Sequence, residues 1–194
     1  GELSRRTGRP VRWTETRSEN MTGMGHGRGQ IQTVTLGGTK DGDLLAYKIE
    51  ILQDAGGYPN MGAILPYATR IMATGVYDIP AVEVSSKSVA TNTTPTGAYR
   101  GAGRPEASAA LERAVDLFAD EAGLDPAEVR RRNFVQPDAF PFTTPTGTIY
   151  DSGNYEESLN RALATAGYNE LLEEQARRRA SGDRQLMGIG IATY

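Results

Sequence analysis

Through residues 1–92, apolar side chains recur at alternate positions in short runs broken by turn residues. Alternation sends successive side chains to opposite faces of an extended chain, so each run predicts a half-buried strand. The runs are Val11–Thr16 (VRWTET), Gln30–Thr39, Leu44–Asp54 and Val82–Ala90. Lys40-Asp41-Gly42-Asp43 carries hairpin-turn chemistry and predicts that Gln30–Thr39 and Leu44–Asp54 pair antiparallel. Residues 1–10 are basic and polar and close in a turn at TGRP. Glycines at 23, 25, 27 and 29 leave little to bury, and that stretch is expected to be a mobile loop. Asp54–Gly62 predicts another loop, and in Ala63–Thr74 the proline at 66 limits what forms to one or two short helical turns.

The period changes after residue 104. Leu111, Val115, Leu117, Phe118 and Ala122 form a stripe near helical spacing, with Glu112, Arg113, Asp116 and Asp120 toward water. This predicts a helix over Pro105–Ala122, opened by a proline that needs no N–H partner and stopped at Gly123. Asp125-Pro126-Ala127-Glu128 reads as an N-cap, a first-turn proline and an acidic N3 residue, opening a short helix to about Asn133. Residues 135–150 are rich in proline and threonine and predict irregular chain, with a short extended piece at GTIYDSG. Asn154 caps a helix to about Ala166, and Leu171–Ala180 predicts another, whose EEQARRR run is a solvated face. Met187–Tyr194 reads as a last apolar strand. The expected fold class is therefore α+β: strands over 1–92, loop and helices over 93–180, a final strand over 187–194, and an antiparallel or mixed sheet packed against the C-terminal helices.

Composition narrows the chemistry. The net charge of −3 gives no global attraction to nucleic acid or an anionic membrane. With no cysteine, thiolate metal sites, iron–sulfur ligands and thiol nucleophiles are excluded, and the single histidine, His26, excludes a multi-histidine metal site. No apolar run is long enough to span a membrane, and a cytoplasmic location is expected. The apolar end of the chain carries no turn residues, so the sequence is expected to be a piece of a longer one.

The most chemically specific stretch is Thr93–Glu112, TTPTGAYRGAGRPEASAALE. Its glycines at 97, 101 and 103 permit positive φ and close backbone approach. It runs into a helix start, where unpaired N–H groups and the helix dipole favour an anion, and Arg100 and Arg104 flank those glycines. One reading is a tight strand-to-helix turn whose glycines serve packing. The other is ligand binding, in its plainest form a non-catalytic phosphate- or nucleotide-binding module. No Gly-Lys-Ser/Thr follows, so the loop is not of the Walker type, and Glu106 stands where a Rossmann fingerprint has its third glycine. His26 is either a solvated loop residue or a proton-transfer group. Asp54 and Tyr58, around Gly56-Gly57, either line a pocket or belong to loop and core.

The order RPVRWTETRSENM, TGMGHGRG, a strand hairpin, GVYDIPAVEVSSKSVATNTTPTGAYRGAGRPEA and LDPAEVRRRNFV resembles the large subunit of the molybdenum hydroxylases. That family includes xanthine dehydrogenase, aldehyde oxidase and aerobic carbon monoxide dehydrogenase. The Ala98–Arg104 loop is most similar to that of the second form of the carbon monoxide dehydrogenase large subunit. The resemblance implies that residues 1–194 are part of a molybdopterin-binding domain. It implies that Gly97, Arg100, Gly101, Ala102, Gly103 and Arg104 line the cofactor, with Arg100 beside the molybdenum, and that Ala102 and Arg70 face substrate. A cysteine that holds copper in the first form is replaced by Gly101, and an aromatic residue of xanthine dehydrogenase by Ala102. The expected activity is hydroxylation of an aldehyde or N-heterocycle on a molybdenum–molybdopterin cofactor, in its cytosine dinucleotide form. Iron–sulfur clusters and FAD are expected on other subunits or domains, with the rest of the large subunit as a further partner. The family's GGFG segment is expected before residue 1 and its catalytic glutamate after residue 194. No catalytic residue is therefore assigned here, and the chain alone is expected to be empty and inactive.

Overall fold

A computed structural model describes residues 1–194. Helices α1 (Glu2–Thr7) and α2 (Arg17–Gly23) come first and bury no residue. The strand expected over Val11–Thr16 does not form, and those residues run unpaired. Thr16 instead opens α2 through a reciprocal cap: its hydroxyl accepts from the Glu19 N–H at 3.3 Å, and the Glu19 carboxylate accepts from the Thr16 N–H at 2.7 Å.

The sheet is three-stranded in the order β1-β2-β3: β1 (Gln30–Gly38), β2 (Leu44–Gly56) and β3 (Ala81–Ala90). β1 and β2 form the expected antiparallel hairpin, with Val34 opposite Ile49. β3 lies parallel to β2, with Val84 beside Ile49. A parallel neighbour requires a crossover, and α3 (Met61–Ile71) supplies it. This helix is longer than Pro66 suggested. The proline withholds one N–H from the carbonyl of Gly62, and the bare Gly62 backbone lets the helix lie against Ala55 and Thr96.

α4 (Arg104–Ala122) packs beside α3 across the same sheet. Tyr47, Ile49 and Ile51 from β2 meet Leu111, Val115 and Ala119 from α4 in the core. α5 (Pro126–Asn133) follows, capped by Asp125, which accepts from the N–H groups of Ala127 and Glu128. Asn133 joins it to the hairpin: its amide accepts from the Leu44 N–H at 2.8 Å and donates to the Gly42 carbonyl at 2.8 Å. After a 3-10 turn, short strands β4 (Phe142–Thr143) and β5 (Ile149–Tyr150) pair within the irregular segment. α6 (Tyr155–Ala166) and α7 (Tyr168–Ser181) complete the helices. On α7, Glu174 pairs with Arg177 and Arg178 at the surface, and those hydrogen bonds draw its carboxyl down to about 2.

Residues 187–194 form no regular element and join no sheet, contrary to expectation. Side chains hold them instead. Arg130, fully buried, donates to the Ile191 carbonyl at 2.8 Å and to Glu112 Oε2 at 2.9 Å. Glu112 accepts from the Thr193 N–H at 3.1 Å and from the Tyr77 hydroxyl at 2.7 Å. Burial, followed by the Glu112 charge, pushes the Tyr77 phenol well above its ordinary value. The result is an α+β fold with a mixed sheet against helices, as the chain pattern implied.

Candidate functional site

β3 ends at Ala90, and the chain returns along the ends of β2 and α3 before entering α4. Asp54 on β2 holds the return. It accepts from Thr91 Oγ1 at 2.7 Å, from the Gly56 N–H at 2.8 Å and from Thr93 Oγ1 at 3.0 Å. These bonds, that from Thr91 foremost, hold its carboxyl below the usual range. Asp54 is thus a loop anchor, and Tyr58, 82% exposed, is not part of the core.

The glycine stretch 23–29 is not a free loop. It lies beside residues 95–99, joined by a parallel bridge between His26 and Thr96 and by the Gly97 N–H donating to the His26 carbonyl at 2.8 Å. A Cβ on Gly27 would stand 2.7 Å from Tyr99 Cβ, so glycine is needed for the approach. The His26 side chain is exposed, and this histidine serves the structure through its carbonyl.

The loop then tightens. Ala102 N–H donates to the Tyr99 carbonyl at 2.8 Å and Arg104 N–H to the Gly101 carbonyl at 3.2 Å. Gly101, Ala102 and Gly103 all have positive φ, at 94°, 32° and 93°. An alanine at positive φ is strained, and such strain gathers at functional loops. Arg28, also at positive φ (68°), reaches the loop from the glycine stretch.

The start of α4 is not an open anion seat. Glu106, 7% exposed, accepts the Gly103 N–H at 2.9 Å, and Arg28 Nη1 pairs with both its oxygens at 3.1 Å. The protein's own carboxylate takes the place that a phosphate would, which removes the basis for a nucleotide module there. The open donors lie one turn earlier. The N–H groups of Ala98, Tyr99, Arg100 and Gly101 find no acceptor in the protein. The guanidinium groups of Arg70, Arg100 and Arg104 are exposed and make no ion pair.

Arg70, at the end of α3, and Ala102 line one hollow of about 600 Å³ with Met61, Ile64, Tyr67 and Ser86. The structure thus brings together the two residues expected to face substrate, on a mostly apolar wall with one cation. Gly97 lies on the bridge to His26, at the loop's entry. Sequence reasoning missed Arg28 and Glu106. Their signal was an arginine among close-packed glycines and an acidic residue at the third position of a helix.

The family described as the molybdopterin cofactor-binding domain matches residues 2–134, and the chain belongs to it. It is 37% identical to the carbon monoxide dehydrogenase large chain of Afipia carboxidovorans, over 96% of this chain and 24% of that one. It is 36% identical to the 6-hydroxypseudooxynicotine dehydrogenase complex subunit gamma of Paenarthrobacter nicotinovorans, over 97% of this chain and 24% of that one. Among solved structures, quinoline 2-oxidoreductase from Pseudomonas putida 86 superposes with a TM-score of 0.84 at 38% identity, covering 93% of this chain and 23% of that one. The chain spans about a quarter of the length of these relatives.

Proposed function

We propose that this chain forms one wall of the cofactor and substrate site of a molybdenum hydroxylase large subunit. The observation that carries the reading is the strip of unpartnered N–H groups over 98–101 beside the unpaired Arg100 and Arg104. Such donors suit an anionic, oxygen-rich group, so the residues present fit a molybdenum–molybdopterin cofactor. When bound, that group supplies the two-electron acceptor for hydroxylation with oxygen from water.

In this reading Gly97 and Gly103 shape the loop, Gly101 lends its N–H, and Arg100 and Arg104 balance the cofactor's negative charge. Arg100 would lie beside the metal. Ala102 and Arg70 face the substrate, Arg70 orienting an acceptor atom and Ala102 leaving space. Gly101 and the absence of cysteine leave this chain no thiolate for copper. That favours an aldehyde or N-heterocycle over carbon monoxide, in line with the quinoline and 6-hydroxypseudooxynicotine relatives. The cytosine dinucleotide form of the cofactor, iron–sulfur and FAD partners, the remainder of the large subunit and a cytoplasmic site complete the proposal. Residues 1–194 belong to the cofactor-binding region, and the chain alone is inactive.

The test is to purify the full-length gene product with its partner subunits, measure molybdenum and pterin, and assay N-heterocycles and aldehydes with an artificial electron acceptor. Stoichiometric molybdenum and turnover of either class support the reading. A full-length protein that binds a nucleotide tightly and contains no pterin sinks it. Residues 1–194 alone are expected to purify without stoichiometric metal.

A further inference from the structure

We infer that Arg28 is a positioning residue that fixes the direction of the Gly101 N–H. The inference rests on the function proposed above and adds a residue to it. Arg28 Nη2 donates to the Arg100 carbonyl at 2.6 Å. The peptide between Arg100 and Gly101 is trans, since the only cis bond in the chain precedes Pro141. In a trans peptide the C=O and N–H point in opposite directions. Holding the Arg100 oxygen therefore turns the Gly101 N–H to the side away from Arg28, where it has no acceptor in the protein.

The restraint is needed because glycine is on the far side of that peptide. Gly101 at φ 94° has no Cβ to resist rotation, so a flip of the 100–101 peptide meets little steric resistance. A flipped peptide would present a carbonyl oxygen to an anionic ligand in place of a donor. Arg28 is itself held from several sides. Its Nη1 pairs with both oxygens of the buried Glu106, and its guanidinium lies 5.3 Å from the centroid of the Tyr99 ring. Glu106 in turn accepts the Gly103 N–H. One guanidinium fork thus ties the glycine stretch, the loop carbonyl and the first turn of α4 into one unit. Lysine would keep a charge for Glu106 but could not span to the Arg100 oxygen with a planar fork.

The experiment compares wild type, Arg28→Lys and Arg28→Met in the full-length enzyme with its partners. The readouts are molybdenum per chain, kcat and KM, the paramagnetic resonance spectrum of the partly reduced enzyme, and amide exchange at Ala102–Arg104. For Arg28→Lys we expect molybdenum content within about twofold of wild type, kcat lowered about a hundredfold with KM little changed, and an altered spectrum, as for loss of one preorganised donor. For Arg28→Met we expect exchange at Ala102–Arg104 to rise about tenfold while exchange at Ile49 in β2 stays constant. A wild-type spectrum and kcat in Arg28→Lys, from a wild type that holds molybdenum, overturns the inference and leaves the proposed function standing. A wild type that holds no molybdenum overturns the proposed function. The exchange data then decide the clamp, and unchanged exchange in Arg28→Met overturns it.

Discussion

Gly103 leaves no room for a side chain. A Cβ there would stand 2.5 Å from the carbonyl carbon of Ala68 and 2.6 Å from its Cβ, on a backbone already at φ 93°. Gly97 is different: nothing lies within 4 Å of its would-be Cβ, and its φ is not in the positive region. Gly103→Ala is therefore expected to lower stability by about 2–4 kcal/mol through overpacking and strain. Gly97→Ala is expected to change stability by less than about 0.5 kcal/mol. Urea unfolding of both variants measures the contrast, and equal losses would contradict it. Sequence alone grouped these glycines, since glycine spacing shows that close approach is possible but not which neighbour approaches. The neighbour of Gly103 comes from α3, a helix whose full length the pattern did not reveal.

Elements built on local rules were legible, and elements built on distant partners were not. The β1–β2 hairpin, the caps of α5 and α6 at Asp125 and Asn154 and the stop at Gly123 all depend on residues a few positions apart. The alternation of Val11–Thr16 matched a strand, but alternation cannot supply a pairing partner, and none is there. The segment 187–194 has the same fault. Its anchors are Arg130 and Glu112, read from sequence as exposed helix charges or not singled out at all. Glu112→Ala takes from the buried Arg130 one of its two carboxylates, leaving Asp116 at 2.9 Å, and is expected to cost about 3 kcal/mol, the low end for a broken buried pair. The double variant Glu112→Leu/Arg130→Met, which leaves only the part-exposed Asp116 without its partner, is expected to cost less than Glu112→Ala. Denaturant midpoints of the variants check both. A different element junction responds to pH. The Asp54 carboxyl is held below its unfolded value of about 3.9 by Thr91, Gly56 and Thr93. Its folded pKa is depressed, so its contribution is present above the unfolded value and is lost as pH falls through the folded one. Stability below about pH 4 is expected to fall more steeply in wild type than in Asp54→Asn, read as unfolding midpoints across that range.

At the scale of the whole molecule, the apolar surface is distributed in a way that one chain of this length does not resolve. α1 and α2 bury nothing, while Trp13 is 71% exposed and Met21 74%. Around the loop, Tyr99 is 66% exposed and Tyr67 63%. Large apolar side chains exposed to this extent are candidates for cover by further protein. The relatives are about four times as long as this chain, so the remainder of a long large subunit is the covering expected here. The only stretch joining the N-terminal segment firmly to the rest is the glycine strap at 25–29, through the His26–Gly97 bridge and Arg28. The same strap, through Arg28, also reaches the loop at Arg100. Hydroxyl-radical footprinting tests the covering directly. Trp13, Met21 and Met24 are expected to oxidise readily in residues 1–194 alone and to be protected several-fold in the full-length subunit, together with Tyr99 and Tyr67. Equal oxidation of Trp13 in both would show that the segment stays outside the assembly.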